Sequence, residues 1–389
     1  VRIEPFPLTR WRRGTERGEI VGTPSQPLVL TALGGTPSTP SNGIEGEVAI
    51  FGTLDDLHNA PPHALDGKIA LLDYRMPRLE SGLAYNVATR GRGEGPAEAA
   101  AHGAIAFLLR SAGTNEHRLP HTGSTRFHEG RVPIPAFALA QQDADQVVRL
   151  SARGTVRVRL MSSGALDPDA ATSQNVIGEV RGTSDETIVI GAHLDSWDLG
   201  TGAVDDGAGV AVVLAAAKLL ASSPVHLRRT IRVVLFGAEE VSQPGEPFLI
   251  VGGFAYAKAH MSEAPRYAIV SECDLGAGRV TGLDLPAGWS TGALADALGR
   301  VLLSLGVLVE SEVAPHGGAD MFPLQSAGVP VFLLKQDASQ YFDLHHTADD
   351  TIDHVDAREL RQVVAGWVAT LRLLAGSDFD FRKTRPGAN

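Results

Sequence analysis

The chain of 389 residues is 43% hydrophobic and 20% charged, which is typical of a folded globular protein and argues against an intrinsically disordered one. Its formal net charge of -11 argues against nucleic acid as the main partner, because phosphate binding needs a basic surface. The single cysteine, Cys273, excludes an intrachain disulfide, and no uninterrupted apolar run reaches the length of a membrane span.

The first part of the chain predicts a β-rich module set into a second domain. We expect a strand near residues 3–11 to belong to the second domain, so that residues 1–43 form its beginning and residues 44–162 form the insertion. The glycine-rich segment 90–96 is expected to be a loop, and the Ser-, Ala-, Asp- and Pro-rich segment 162–174 a linker. The module's expected strands are residues 46–52, 67–74, 103–110, 134–140 and 155–161, with helices at 97–102 and 141–151.

The second domain continues over residues 163–389, where short apolar strands alternate with amphipathic helices. This pattern predicts a three-layer α/β/α fold around a mainly parallel sheet. In such folds, functional residues gather at the carboxyl ends of the strands. The expected strands are residues 175–180, 187–193, 230–240, 267–274 and 329–335, and the expected helices are 203–221, 248–260 and 356–374.

Histidine and carboxylate side chains follow several of these strands. His193 and Asp195 come at the end of one strand, and Glu239 and Glu240 close the next. Each residue alone has an ordinary explanation, such as a helix cap or a solvated turn. Their convergence on one edge of the sheet instead predicts a metal site. The other candidates at this edge are Asp205, Asp274, His345 and His346.

The types of donor indicate the metal and its chemistry. Nitrogen and carboxylate donors without a thiolate are typical of catalytic zinc, which keeps a position open for water. The carboxylates are too many for one ion, because their mutual repulsion would raise their pKa values. We therefore expect two divalent cations that share one carboxylate and activate water for attack on a carbonyl. Of the adjacent pair Glu239 and Glu240, one would bind metal while the other takes the proton from water.

Four segments carry a resemblance to a known family. HLDSWDLGTGAVDDGAG, LFGAEE, SECDLG and HHTADDT resemble the co-catalytic zinc aminopeptidase family that includes bacterial leucyl aminopeptidase. HLDSWD, PHTG and IPAF are most similar to its carboxypeptidase Q branch, also called plasma glutamate carboxypeptidase. The resemblance extends over nearly the whole chain from residue 7. It implies that the insertion is a protease-associated domain and that the remainder is the zinc peptidase domain.

Carried over position by position, the resemblance implies two zinc ions per chain. One ion would be bound by His193 and Asp274. The other would be bound by Glu240 and His346, and Asp205 would bridge both ions.

The resemblance also assigns roles next to the metals. Glu239 falls where the family has its general base, and Asp195 would orient His193 and fix its tautomer. His346 is preferred over His345 as the ligand because the family pattern His-Thr/Ser-x-x-Asp-Thr begins at His346.

Several other polar residues are weaker candidates. His316 and Asp320, in the segment HGGAD, resemble a family loop near the substrate, although a satisfied loop histidine is an equal reading. Tyr341 either donates to substrate or packs in the core. His121 is expected to sit at a turn of the insertion, and Cys273 to be inert core.

The resemblance implies a di-zinc metallo-exopeptidase that hydrolyses dipeptides or short peptides by attack of metal-activated water on the peptide carbonyl. Three alternatives stay open: an aminopeptidase acting on longer peptides, a glutaminyl cyclase-like enzyme with one zinc, and a non-catalytic binding protein. The inserted module and the complete ligand set argue against the cyclase, and the ligand set together with Glu239 argues against the binding protein. Because the chain starts at Val1 without methionine, and because the resemblance implies exported dimers, we expect a processed, secreted or periplasmic homodimer.

Overall fold

The computed structural model describes residues 1–381 except 127–132, 225, 245–248, 290–291 and 311–314, and except the side chain of Pro168. The predicted α/β class is confirmed. The strands are β1 (Arg2–Arg12), β2 (Glu16–Ile20), β3 (Gln26–Leu28), β4 (Leu30–Ala32), β5 (Ile44–Phe51), β6 (Ile69–Leu72), β7 (Ala106–Arg110), β8 (Ala136–Leu139), β9 (Arg157–Ser162), β10 (Ala165–Val180), β11 (Thr187–His193), β12 (Thr230–Phe236), β13 (Tyr267–Glu272), β14 (Val280–Asp284), β15 (Leu308–Glu310) and β16 (Leu333–Gln336). The helices are α1 (Leu54–His58), α2 (Ala84–Ala101), α3 (Gln141–Ser151), α4 (Gly207–Ala221), α5 (Val251–His260), α6 (Ala293–Leu303), α7 (Phe322–Ser326), α8 (Tyr341–Leu344) and α9 (Ala357–Gly376), with 3₁₀ helices at Met261–Arg266 and Ile352–His354.

Within the described residues, the strands form three sheets. The central sheet has the order β1-β10-β12-β11-β13, the inserted sheet has the order β3-β2-β9-β5-β6-β7-β8-β4, and the small sheet has the order β15-β14-β16. Every strand of the inserted sheet lies between β1 and β10 in sequence. The chain therefore leaves the central sheet after β1, builds the inserted sheet, and returns to the central sheet with β10.

The central sheet is mixed rather than mainly parallel. Strand β10 is antiparallel to both of its neighbours, β1 and β12. Strand β11 is parallel to β12 and β13, with His193 paired to Phe236 and Gly191 paired to Glu272. The three strands that lead into the predicted ligands are thus parallel, and they end at the same edge of the sheet.

Helices cover both faces of these parallel strands, so the predicted three layers are present. Ile188 belongs to a core cluster that includes Val212 of α4 and Trp367 of α9. Val189, the next residue, points to the opposite face and joins a cluster with Tyr256 of α5. The burial of each such aliphatic side chain contributes roughly 1.5–3 kcal/mol to folding. This packing supports the strand ends from both faces of the sheet.

The inserted sheet contains the five strands expected from the sequence, observed as β5 to β9. It also contains three strands that precede residue 44: β2 pairs with β9, β3 with β2, and β4 with β8. The inserted sheet therefore begins earlier in the chain than the predicted boundary between residues 43 and 44. Strands β2 and β4 escape prediction because their partners β9 and β8 lie more than 100 residues away in sequence, and β3 because it is only three residues long.

The segment 90–96 was expected to be a loop, and this prediction is wrong, because it lies inside α2. Its glycines allow the helix to approach the inserted sheet closely. A Cβ atom on Gly91 would come within 2.6 Å of the Leu72 side chain, and one on Gly95 within 2.6 Å of Phe107. The glycines thus provide space for helix–sheet packing rather than a turn.

The expected linker at residues 162–174 is also wrong in part, because most of it belongs to strand β10. This strand pairs with β1 from Arg2 opposite Ile177 to Arg12 opposite Ala165. The pairing lies at the edge of the central sheet, where polar side chains face solvent, so the sequence shows no buried-strand pattern.

Two predicted helices begin later than expected. Helix α4 starts at Gly207 rather than residue 203, and α5 starts at Val251 rather than residue 248. Phe248, the expected start of α5, lies outside the described residues. Among the helices in the described part of the chain, none is both long and apolar enough to cross a membrane.

Candidate metal centre and active site

The predicted ligands come together at the carboxyl ends of the parallel strands. His193 is the last residue of β11, Glu240 follows β12, and Asp274 follows β13. Asp205 lies just before α4, and His346 lies just after α8. The alignment of the strand ends places residues from five separate segments in one small volume, as the sequence pattern predicted.

Asp205 lies at the middle of this cluster, with one carboxylate oxygen directed to each side. Its Oδ1 is 3.2 Å from Nε2 of His193, which is itself 3.5 Å from Oδ1 of Asp274. Its Oδ2 is 3.2 Å from Nε2 of His346, which is 2.9 Å from Oε1 of Glu240. The cluster therefore has two halves that share Asp205: the first half, His193 with Asp274, and the second half, Glu240 with His346.

The donors fit divalent cations. Donor atoms within 4.8 Å of one another form three groups in the described part of the chain: Asp205, His345 and His346; His193, Asp205 and Glu240; and His193, Asp206 and Asp274. Oε1 of Glu240 is buried and accepts no hydrogen bond of good geometry, although an imidazole nitrogen lies 2.9 Å away. Buried lone pairs that face one another in this way suit a cation between them, and nitrogen with carboxylate oxygen is the donor set of catalytic zinc.

Charge is concentrated in the buried centre. Burial by itself raises the pKa of Asp205, but the surrounding imidazoles, led by His345, hold that pKa well below its usual range. Burial lowers the pKa of His346, but Glu240 and Asp205 oppose this effect and raise that pKa to about 9. For His193, the nearby carboxylates, led by Asp274, likewise overcome burial and raise the pKa well above the usual value.

The remaining carboxylates repel one another. Burial raises the pKa values of Glu240 and Asp274. Burial and the adjacent Glu240 raise the pKa of Glu239 well above its usual range. Bound cations would remove this repulsion and displace the protons that it retains, so metal binding and local order are coupled.

Asp195 has a different contact from the predicted one. The main-chain oxygen of Asp195, not its carboxylate, accepts the hydrogen bond from Nδ1 of His193, at 2.8 Å, while the carboxylate oxygen lies 3.9 Å away. The carboxylate instead accepts the main-chain N–H groups of Glu239 at 3.0 Å and Glu240 at 3.1 Å. The backbone thus fixes the tautomer of His193, and the Asp195 side chain positions the glutamate pair.

Asp206, which directly follows Asp205, has a structural role. Its carboxylate caps α4 by accepting the N–H of Gly209 at 3.1 Å, and it also accepts the main-chain N–H of His193 at 3.0 Å. An N-cap carboxylate at a helix start is an ordinary stabilising feature. Here it also joins the end of β11 to the start of α4.

His345 and His346 both lie beside Asp205. Nε2 of His345 is 3.4 Å from Oδ2 of Asp205, and the two imidazole rings stack with centroids 3.5 Å apart. His346 additionally contacts Glu240, which His345 does not do among the described contacts. The assignment of His346 as the ligand therefore stays a prediction, and geometry favours it.

Four residues that the sequence did not single out support the second half. Trp197 donates its indole N–H to Oε2 of Glu240 at 2.9 Å, and Ser124 donates its hydroxyl to the main-chain oxygen of Glu240 at 2.8 Å. The main-chain oxygen of Thr122 accepts hydrogen bonds from Nδ1 of His346 at 3.1 Å and from Arg92 at 3.2 Å. The only sequence signal that points to Thr122 is the resemblance of its segment, PHTG, to the carboxypeptidase Q branch.

The three weaker candidates, His316, Asp320 and Tyr341, differ in how far they are buried. Asp320 is buried and accepts the N–H of Gly253 at 2.8 Å, so its carboxylate faces the protein interior. His316 is exposed, and Tyr341 is buried with its ring 4.9 Å from that of His345. Substrate contact by these three residues stays a prediction.

Two further side chains, His121 and Cys273, are buried inside the protein. His121 is buried, with Nε2 2.8 Å from the amide nitrogen of Asn115. Cys273 is buried in the core cluster beneath the centre, in agreement with an inert role.

A sheet with helices on both faces and three overlapping groups of His and carboxylate donors that could hold a metal ion is the arrangement expected of a co-catalytic metallohydrolase. The chain belongs to Peptidase family M28, whose family model matches residues 175–371. It is accordingly a zinc metallopeptidase.

Relatives extend over nearly the full length of the chain. It is 30% identical to carboxypeptidase Q of Bos taurus over 378 residues, which cover 96% of this chain and 76% of that protein. A crystal structure of a peptidase M28 precursor from Shewanella amazonensis SB2B matches with a TM-score of 0.91 and 40% identity, covering 97% of this chain and 84% of that chain. The aminopeptidase from Aneurinibacillus sp. strain AM-1 matches with a TM-score of 0.62 and 21% identity, covering 97% and 86%, which shows a shared fold.

Proposed function

We propose that the chain is a di-zinc exopeptidase that hydrolyses dipeptides and other short peptides. The observation that carries this proposal is the placement of Asp205 between two histidine–carboxylate pairs, at 3.2 Å from each imidazole. The similarity to carboxypeptidase Q over 96% of the chain supports peptide hydrolysis at a free carboxyl end.

The residues divide into metal ligands and a proton carrier. His193 and Asp274 would hold one zinc ion, Glu240 and His346 the other, and Asp205 both. Zinc at these positions would polarise the peptide carbonyl and lower the pKa of a water molecule.

Glu239 is the proposed general base. Its main-chain N–H is held by Asp195, while its half-buried carboxylate receives no hydrogen bond from any other described residue. Adjacent residues at a strand end diverge, so Glu240 can face a ligand position while Glu239 faces the attacking water. Glu239 would accept a proton from that water and deliver it to the leaving amine.

A peptide panel with controlled metal content tests this function. Purified protein is treated with chelator, shown to be metal-free by elemental analysis, and assayed with and without added zinc on matched dipeptides, tripeptides and terminally blocked peptides. We expect hydrolysis of free dipeptides only when zinc is restored. Full activity with no residual metal would refute the proposal. One zinc per chain at full activity, with ring closure of amino-terminal glutamine, would favour the cyclase alternative.

We also propose that the chain acts as an exported homodimer and that the inserted sheet with its helices is a protease-associated domain. Both proposals rest on the resemblance of the HLDSWD, PHTG and IPAF segments to the carboxypeptidase Q branch. Light scattering across micromolar concentrations tests the dimer, and a constant monomer mass contradicts it. Fractionation of cells that express the full-length protein tests export, and retention in the cytoplasm contradicts it.

A further inference from the structure

The second half of the metal centre lies where the inserted sheet meets the central sheet. His346 has a left-handed backbone conformation, with φ of 61°, and forms reciprocal hydrogen bonds with Thr122. The Thr122 N–H donates to the main-chain oxygen of His346 at 3.0 Å, and Nδ1 of His346 donates to the main-chain oxygen of Thr122 at 3.1 Å. With its proton on Nδ1, the imidazole directs the Nε2 lone pair towards Asp205 and Glu240.

Glu240 is held from the same direction. Its main-chain oxygen accepts the Ser124 hydroxyl at 2.8 Å, and Ser124 in turn accepts the Ser242 N–H at 3.3 Å. Its Oε2 accepts the Trp197 indole N–H at 2.9 Å, which leaves Oε1 to face His346.

Trp197 also packs against the inserted module, next to Ser124. Its ring packs against Gly34, where an added Cβ would come within 2.4 Å of the indole. Gly34 forms a parallel bridge with Ser124, and its N–H donates to the Gly123 oxygen at 2.9 Å. One segment of the inserted module, residues 122–124, therefore supports both proposed metal ligands of the second half, Glu240 and His346.

The first half lacks such support in the described part of the chain. Nδ1 of His193 donates to the main-chain oxygen of Asp195, and the His193 N–H donates to Asp206. Asp274 follows β13 and contacts His193. All of these residues belong to the segments that follow β10, and no hydrogen bond joins His193 or Asp274 to the inserted module among the residues described.

We propose that Thr122, Ser124 and Trp197 form a brace that makes zinc binding by Glu240 and His346 depend on docking of the inserted module. Zinc binding by His193 and Asp274 is independent of the brace. This inference rests on the proposed two-zinc function. The three residues are positioning residues, since they act through the ligands rather than on the substrate.

Two variants weaken the brace, and each has a matched control. Ser124→Ala removes a hydroxyl that donates to a main-chain oxygen and accepts a main-chain N–H. Its control is Ser111→Ala, because Ser111 makes the same two kinds of bond, to Leu139 at 2.6 Å and from His121 at 2.9 Å.

Trp197→Phe removes the indole N–H and retains an aromatic ring. Its control is Trp11→Phe, because the Trp11 indole donates to the main-chain oxygen of Thr36 at 2.8 Å. Arg13 stacks on both indoles, with its Cζ 5.3 Å from the Trp11 ring and 5.9 Å from the Trp197 ring.

The measurement is calorimetric titration of the chelated, full-length protein with zinc alone, supported by elemental analysis and by the melting temperature of each apoprotein. We expect wild type to bind two ions. We expect both brace variants to bind one ion normally and the other about 10–100-fold more weakly, as is usual when a partner behind a ligand is removed. Both controls should bind two ions with wild-type affinities.

Single-half backgrounds identify the affected position. In His193→Ala, the remaining ion is held by the second half, and adding Ser124→Ala should weaken it. In His346→Ala, the remaining ion is held by the first half, and Ser124→Ala should leave its affinity unchanged.

The outcomes separate the two proposals. Wild type that binds fewer than two zinc ions contradicts the proposed function and the brace together. If wild type binds two ions, either of two results overturns the brace alone. The brace variants bind both ions with wild-type affinity, or they bind both ions more weakly to the same extent. If Ser124→Ala fails to fold, Trp197→Phe still tests the brace.

Discussion

The two halves of the metal centre are supported in different ways. The first half, His193 with Asp274, lies at the ends of parallel strands, and the main-chain oxygen of Asp195, in the loop after β11, fixes His193. The second half, Glu240 with His346, is held between the central sheet and a segment of the inserted module. Strand topology alone thus positions one pair of proposed ligands, whereas the position of the other proposed pair also depends on contacts between two separately built sheets.

The largest expected effect comes from the residue that both halves share. Because Asp205 directs one oxygen to each half, Asp205→Asn should abolish binding of both ions and reduce peptidase activity to background. Elemental analysis and the dipeptide assay measure these losses.

The control for this change is Asp198→Asn. Asp198 is an exposed acid of the same segment, and its carboxylate accepts hydrogen bonds from Arg13. This variant should keep both ions. An Asp205→Asn protein that still binds two zinc ions would show that the halves do not share this residue.

Substitution of the glutamate pair separates chemistry from metal binding. Glu239→Gln should retain both ions but lower kcat about 10²–10⁴-fold, because the proton acceptor is lost while shape is kept. Glu240→Gln should lower occupancy of the second half only. Kinetics and metal analysis of the two variants test this division. The reverse pattern, with an ion lost from Glu239→Gln, would exchange the two roles.

The first half could be predicted from sequence because its geometry follows from local pattern. The apolar run before His193 predicts a buried strand, and adjacent parallel strands bring their ends together. The same logic located Glu240 and Asp274. Asp195 was assigned to the correct neighbourhood, but the sequence could not show that its backbone, rather than its carboxylate, contacts His193.

The support of the second half could not be predicted in the same way. Ser124 and Glu240 are 116 residues apart, and Thr122 and His346 are 224 residues apart, so only the docked sheets bring them together. The segment 90–96 was misread for a related reason. Its glycines serve contacts with distant strands, whereas the same residues in a local reading indicate a turn.

A smaller effect is expected from Asp195, whose carboxylate holds the backbone of the glutamate pair and which is not among the proposed metal ligands. Asp195→Asn presents an amide NH₂ to one of the N–H groups of Glu239 and Glu240, so only one hydrogen bond can remain. We expect kcat/KM to fall about 10–100-fold, with zinc affinity of the first half unchanged. Calorimetric titration in the His346→Ala background isolates that half. Weakened zinc binding there would restore the sequence-based role of Asp195 in orienting His193.

The smallest expected effect comes from the inserted module itself, away from every ligand. A Cβ on Gly95 would come within 2.6 Å of the buried Phe107 ring, so Gly95→Ala should overpack the contact between α2 and the inserted sheet. Such overpacking typically costs about 1–3 kcal/mol of the free energy of unfolding. Gly299→Ala is the matched control, because Gly299 lies in α6 with no atom near the added Cβ, and alanine there should stabilise the helix by up to about 1 kcal/mol.

Heating the zinc-loaded Gly95→Ala protein then sharpens the comparison between the halves. At low temperature the variant should hold two ions, because the module is still docked. As the temperature rises, the inserted module should loosen first and release the ion of the second half, while the ion at His193 and Asp274 stays bound until the central sheet unfolds. A zinc-sensitive dye followed during the thermal ramp would record two separate releases in Gly95→Ala and a smaller separation in Gly299→Ala. Simultaneous release of both ions in Gly95→Ala would mean that the two sheets unfold as one unit, and that the second half is no more dependent on the inserted module than the first.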